Sequence, residues 1–147
     1  VILTHEHFDH CIGVNNLNKY YDFDLIVSDN CATAIKSAKK NMSYYADIYC
    51  NPFTITQKCT IIQDNELITI GQIKIKCIVT EGHSSGSICL LHENNLFSGD
   101  TLLETRTPLK LPGSNRAIWN MSIDKIKQHN FATVYPGHGN IFTYIHG

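Results

Sequence analysis

Long apolar runs, blocks of like charge, clustered cysteines and an initiating methionine are all missing from this sequence. Apolar stretches such as residues 88–91 fall far short of the roughly 20 residues needed to span a bilayer, so no transmembrane helix is encoded. Twelve basic residues face thirteen acidic ones, for a formal net charge of -1. No field of one sign therefore draws the chain to nucleic acid or to a membrane, and the expected partner is a small-molecule substrate. No Gly/Ser/Pro-rich linker and no repeat divides the chain, which reads as a single domain over residues 1–147. A 43% hydrophobic content excludes disorder. The six cysteines are scattered without a Cys-x-x-Cys pair. They read as small apolar residues in a reducing compartment, which implies a cytoplasmic location. The chain opens on Val1-Ile2-Leu3-Thr4 with a chemistry-bearing motif at residue 5. It is expected to be a piece of a longer protein, or one from which a segment has been removed.

The pattern along the chain is mixed α/β. Val1–Thr4 reads as the end of a buried strand, 11–21 as a helix, and Asp24–Val27 as a short strand. Ser28-Asp29-Asn30 supplies capping residues for a helix over Cys31–Lys40. The middle is β-rich at 59–63, 66–70 and 73–80, with tight turns at Asp64-Asn65 and Gly71-Gln72. Apolar and charged residues alternate over Ile73–Ile78, as in a strand with one wet face. Strands at 87–92 and 95–98 flank a Glu93-Asn94 turn, a helix runs from Ser114 to about Gln128, and Thr133–Tyr135 is the last strand.

Chemistry concentrates in four places. His5-Glu6-His7-Phe8-Asp9-His10 follows the opening strand, and such a density of imidazoles and carboxylates suits zinc, iron or manganese. In an extended segment His5 and His7 point the same way, whereas Asp9 and His10, after a turn, can address a second ion. Gly82-His83, Ser98-Gly99-Asp100-Thr101 and Pro136-Gly137-His138-Gly139 each follow a strand. Each alone is ordinary turn chemistry. Together with the first cluster they form a constellation.

That constellation, His5-x-His7-x-Asp9-His10 with His83, Asp100 and His138, resembles the metallo-β-lactamase-fold hydrolases, most closely their glyoxalase II-like (hydroxyacylglutathione hydrolase-like) branch. The resemblance runs from residue 1 to about residue 143. It implies an αββα four-layer sandwich, here without the N-terminal strands, and two divalent metal ions, zinc first, with iron or manganese as alternatives. It further implies that His5, His7 and His83 hold one ion, that Asp9, His10 and His138 hold the other, and that Asp100 and a hydroxide bridge them. Asp9 would also orient the attacking water and take its proton, making it the catalytic residue. Relatives with a cysteine in place of Asp100, or a glutamate in place of His7, belong to other branches. The absent strands imply an uncovered sheet edge, which an oligomer or partner would cover.

The expected reaction is hydrolysis of a thioester or other ester of a small acyl group. Alternatives are a mononuclear-iron persulfide dioxygenase, a non-catalytic fragment that acts with its missing half, a phosphodiesterase or RNA-processing enzyme, and a lactonase. Arg106 and Lys110, in the loop after Asp100, are candidates to receive an anionic substrate tail. Four aromatics between residues 41 and 53 include Tyr45 and Tyr49 on one helical face, either as a lid over the metals or as packing. Lys39 and Lys40 read as a solvated helix end. Trp119 reads as a packing residue of the late helix, and His92, His129 and His146 as surface or structural.

Overall fold

A computed structural model describes residues 1–145. His146 lies outside the described residues. Two sheets form: a parallel pair, β1 (Leu25–Val27) and β2 (Cys59–Ile61), and a six-stranded sheet in sequential order. The larger sheet comprises β3 (Leu67–Ile70), β4 (Ile73–Val79), β5 (Ile88–His92), β6 (Asn95–Gly99), β7 (Thr133–Pro136) and β8 (Phe142–Thr143). Its neighbours are antiparallel except β6 and β7, which run parallel because α4 (Arg116–Ile126) carries the chain back across the sheet.

Period-2 alternation sorts the side chains into layers. On β1, Leu25 and Val27 pack under α3 (Asp29–Ala34) together with Cys11, Val14 and Ile35. Ile26 turns the other way, onto Ile68, Cys77, Ile88 and Leu90 of the large sheet. On the far face Ile78, Cys89, Leu96 and Val134 meet Ile126 of α4 and Phe131. The order helix, sheet, sheet, helix is the expected four-layer mixed α/β arrangement.

Several local expectations are corrected. The helix expected over 11–21 is two single turns, α1 (Phe8–Cys11) and α2 (Val14–Leu17). Ser28 caps α3 as expected, its Oγ accepting the Cys31 N–H at 3.3 Å. The helix then stops at Ala34, so Lys39 and Lys40 lie in turns beyond it. Residues 43–45 form only a 3-10 turn, so Tyr45 and Tyr49 share no helical face. Val1–Thr4 contributes a single bridge, Ile2 to Ile26, rather than a strand. The wet face of β4 lasts only through its first half, since Cys77 and Ile78 are both buried. Thr133–Pro136 is followed by one more short strand, β8. The described residues contain no helix long and apolar enough to cross a membrane. All six cysteines are free, with Cys11, Cys31, Cys77 and Cys89 buried.

Candidate metal centre

Four loops meet at one end of the sheets. His5 and His7 follow the Ile2 bridge, α1 carries Asp9 and His10, and His83 follows β4. Asp100 and His138 are adjacent because β6 and β7 are parallel neighbours and end in register, Gly99 opposite Pro136. The Gly137 N–H then donates to the Gly99 carbonyl at 2.8 Å. A Cβ on Gly137 would collide with Asp100 Oδ1 and His10 Cε1, so only glycine fits there. Gly82 has φ 128° and lies against the backbone of Trp119, where a side chain has no room.

All seven residues expected to ligate metal converge. Their ligand atoms form three overlapping groups, His5–His7–His83, His5–His10–Asp100 and Asp9–His10–His138, each within 4.8 Å. His83 Nε2 is 3.1 Å from His7 Nδ1, and His10 Nε2 is 3.1 Å from His138 Nε2. Asp100 lies between the groups, its Oδ2 3.6 Å from His83 Nε2 and 3.5 Å from His138 Nε2. Asp9 Oδ2 is 3.0 Å from His138 Nε2. The first group is wholly buried, whereas Asp9 and His138 are exposed. One group is thus closed and the other open, as a site that must admit substrate requires.

Burial pushes the His5 imidazole well below its usual value, with the neighbouring histidines adding to the shift, and brings His7 down to about 4. Burial likewise lowers His83, against the opposing pull of the Pro108 carbonyl and Asp100. Neutral imidazoles are the form a metal ligates. For His10 and Asp100 burial opposes charge, but their mutual contact outweighs it, raising His10 and lowering Asp100. The buried atoms His5 Nε2 and Asp100 Oδ1 have no hydrogen-bond partner. Buried polar atoms without partners are costly, and cations between them would satisfy both, so the donor set fits metal ions. The Pro108 carbonyl, 3.0 Å from His83 Nδ1, fixes that ring's tautomer and leaves Nε2 facing the site.

Arg106 and Lys110 do not reach the ligand cluster. They are exposed and line a groove of about 350 Å³ with Leu109, Leu111 and Arg116, adjoining the metal pocket through Pro108 and Leu111. Trp119 does more than pack, since its Nε1–H donates to the Thr101 carbonyl at 2.7 Å and steadies the segment after Asp100. His92 Nδ1 lies 2.9 Å from the Lys74 carbonyl, a structural contact between strands. Tyr49 stacks on Phe8, which borders the pocket, with ring centroids 6.2 Å apart.

Two positioning features escaped the sequence reading. Glu6 is buried and points away from the metal cluster toward the His83 loop, where its carboxylate accepts from Ser84 Oγ at 2.9 Å, Ser85 Oγ at 3.4 Å and the Gly86 N–H at 3.4 Å. Met42 lines the pocket of about 210 Å³ over the ligands. The only available signal for Glu6 was its place between two ligand histidines, and for Met42 its place in the stretch from 41 to 53 read as a lid over the metals or as packing.

The family model for the metallo-beta-lactamase superfamily matches residues 1–138. The chain is 30% identical to a probable polyketide biosynthesis zinc-dependent hydrolase, PksB, of Bacillus subtilis (strain 168), over 94% of this chain and 55% of that protein. It is also 30% identical to a hydroxyacylglutathione hydrolase of Pseudoalteromonas translucida (strain TAC 125), over 87% of this chain and 41% of that protein. The chain thus spans about half the length of these curated relatives. Its fold superposes on the crystal structure of the B3 metallo-beta-lactamase BLEG-1 with a TM-score of 0.84 and 28% identity, covering 97% of this chain and 70% of the other. With the fold, the ligand cluster and the family match in agreement, the chain belongs to the metallo-beta-lactamase superfamily.

Proposed function

We propose that this chain carries the binuclear centre of a hydrolase that cleaves a thioester or other ester of a small acyl group. The observation that carries the reading is the convergence of His5, His7, His83, Asp100, Asp9, His10 and His138 from four loops, with buried His5 Nε2 and Asp100 Oδ1 making no hydrogen bond. The names of the two curated relatives, a zinc-dependent hydrolase and a hydrolase of an acylglutathione, support both zinc and an acyl-transfer substrate.

His5, His7 and His83 would hold one ion and Asp9, His10 and His138 the other, with Asp100 reaching both. When bound, such ions polarise a carbonyl oxygen and make hydroxide available at neutral pH. The chain's own residues supply the rest. Asp9, exposed at the open side, orients the attacking water and takes its proton. The Pro108 carbonyl holds the His83 ring, and Glu6 holds the loop on which that ring sits. Arg106, Lys110 and Arg116 offer cations to an anionic carrier at the groove beside the pocket.

The test is metal quantification of the purified protein, together with a panel of thioester, lactone, phosphodiester and thiol persulfide substrates. Two transition-metal equivalents and hydrolysis of the thioester are expected. Absence of stoichiometric metal, or oxygen uptake on the persulfide with a single iron, would overturn the reading.

A further inference from the structure

Met42 occupies the left-handed region, with φ 70° and ψ −5°. Glycine or asparagine adopts this conformation at lower cost, so a methionine here needs a reason. Its two neighbours enforce the turn. Asn41 and Ser43 are fully buried, and Asn41 Oδ1 accepts the Ser43 N–H at 2.9 Å. Asn41 Nδ2 donates to the Phe53 carbonyl at 2.9 Å, and Ser43 Oγ accepts the Phe53 N–H at 3.0 Å. Unfavourable backbone held this firmly by its surroundings is a feature of functional sites. Here it brings an apolar side chain to the wall of the metal pocket.

That wall is apolar where it is not made of ligands: Phe8, Met42, Pro108 and Leu111. The cavity is about 210 Å³, below the roughly 300 Å³ at which pockets begin to take drug-sized ligands. Part of that volume lies among the ligand side chains, so the space left beside Phe8 and Met42 suits a short apolar group. Phe8 and Met42 lie on two segments separate from the cationic loop that carries Arg106 and Lys110, and they bring no charge to the pocket. We propose that Met42 is the specificity-determining residue for the acyl group: with Phe8 it lines the apolar side of the pocket and limits the length of the straight chain that fits beside the ligands. This rests on the acyl-substrate reading above and names the class of acyl group.

The test uses metal-loaded wild type, Met42→Gly, Met42→Asn and Met42→Leu, with binding of straight-chain carboxylates from two to ten carbons measured by calorimetry and hydrolysis of the matching acyl thioesters in parallel. Wild-type affinity is expected to rise about fourfold per methylene and to level off within the series. Met42→Gly and Met42→Asn, both suited to the left-handed turn, fold without loss of melting temperature and move the plateau toward longer chains. Met42→Leu keeps it in place. A plateau at the same length in all four proteins, or no carboxylate binding to the loaded wild type, overturns the proposal. Length-dependent binding that shifts as expected without any thioester hydrolysis upholds the slot and removes the hydrolase reading instead.

Discussion

Glu6 Oε2 accepts a hydrogen bond from Ser84 Oγ at 2.9 Å, joining two loops whose residues are 78 positions apart. One loop carries His5 and His7, the other His83, so the contact sets the spacing of the buried ligand group. Replacing Glu6 with alanine strands buried donors and is expected to cost about 1–3 kcal/mol of stability. Metal affinity should fall about 10- to 100-fold, as for other groups that orient ligands. Glu6→Gln keeps one acceptor and should recover part of both losses. Denaturant unfolding and metal titration against a chelating indicator measure these effects. Unchanged metal affinity in Glu6→Ala would show that the loops hold their places without this contact.

Gly137 gives a steric counterpart. A methyl group there would push on Asp100 Oδ1 and on the His10 ring. Gly137→Ala is therefore expected to lower metal occupancy while leaving most of the β6–β7 ladder intact, since Asn95–Phe97 and Thr133–Tyr135 pair away from the collision. Circular dichroism and elemental analysis on the same sample test this. Full metal content in the variant would contradict the packing argument.

The ligands were legible because their chemistry is local: His83, Asp100 and His138 each lie just after a strand, and the spacing His5-x-His7-x-Asp9-His10 survives the loss of the expected opening strand and any error in helix length. The hairpin β3–β4 was legible for the same reason, with Gly71-Gln72 between Ile70 and Ile73. What failed depends on distant partners. Nothing near Ala34 says that α3 must stop, yet the chain turns there so that Asn41 and Ser43 can bond Phe53 inside the fold. The edge strand β8 is two residues long and is defined by its pairing with β7. The role of Glu6 depends on Ser84 and Gly86, 78 and 80 residues away, and its carboxylate turns toward them because successive side chains of an extended segment point in opposite directions.

Asp64 and Lys125 tie the start of the large sheet to α4, with Lys125 Nζ 2.7 Å from Asp64 Oδ1. Burial alone would raise the Asp64 carboxyl, but Lys125 and the Val79 N–H outweigh it and hold it below its ordinary value. A lowered folded-state value means that the unfolded chain binds the proton more readily. The contribution is therefore complete above the unfolded pKa of about 3.9 and is lost as pH falls through the folded value. Both side chains are about a third exposed, which limits the pair to roughly 1 kcal/mol or less. Wild type should thus exceed Asp64→Asn slightly in stability at pH 7, with the gap closing below pH 4. Paired urea titrations at the two pH values measure it, and a gap that widens in acid would reverse the assignment.

Metal removal should destabilise the chain, because His5 Nε2 and Asp100 Oδ1 are then buried without a hydrogen bond. A ligand present at 1,000 times its Kd contributes about 4 kcal/mol, and for a domain near 150 residues that corresponds to a melting shift on the order of 10 °C per ion. Differential scanning calorimetry with and without chelator measures this directly. Restoring the shift with zinc, and not with magnesium, would match the imidazole-rich donor set. Equal melting temperatures with and without chelator would rule out a tightly held ion.

Arg106, Lys110 and Arg116 provide the last prediction, since the groove they line adjoins the ligand pocket through Pro108 and Leu111. If that groove receives an anionic carrier, its cations act on binding and leave the reacting atoms alone. Arg106→Glu and Lys110→Glu should then raise KM for thioesters with an anionic carrier about tenfold each, equivalent to about 1.4 kcal/mol, with kcat little changed. An uncharged thioester of the same acyl group should respond to neither substitution. Because both side chains are exposed, the effect on charged substrates should shrink as salt rises toward 1 M, where the Debye length falls to about 3 Å. A KM change that is the same for charged and uncharged carriers, or that persists at high salt, would mean that these residues shape the loop and do not read the charge.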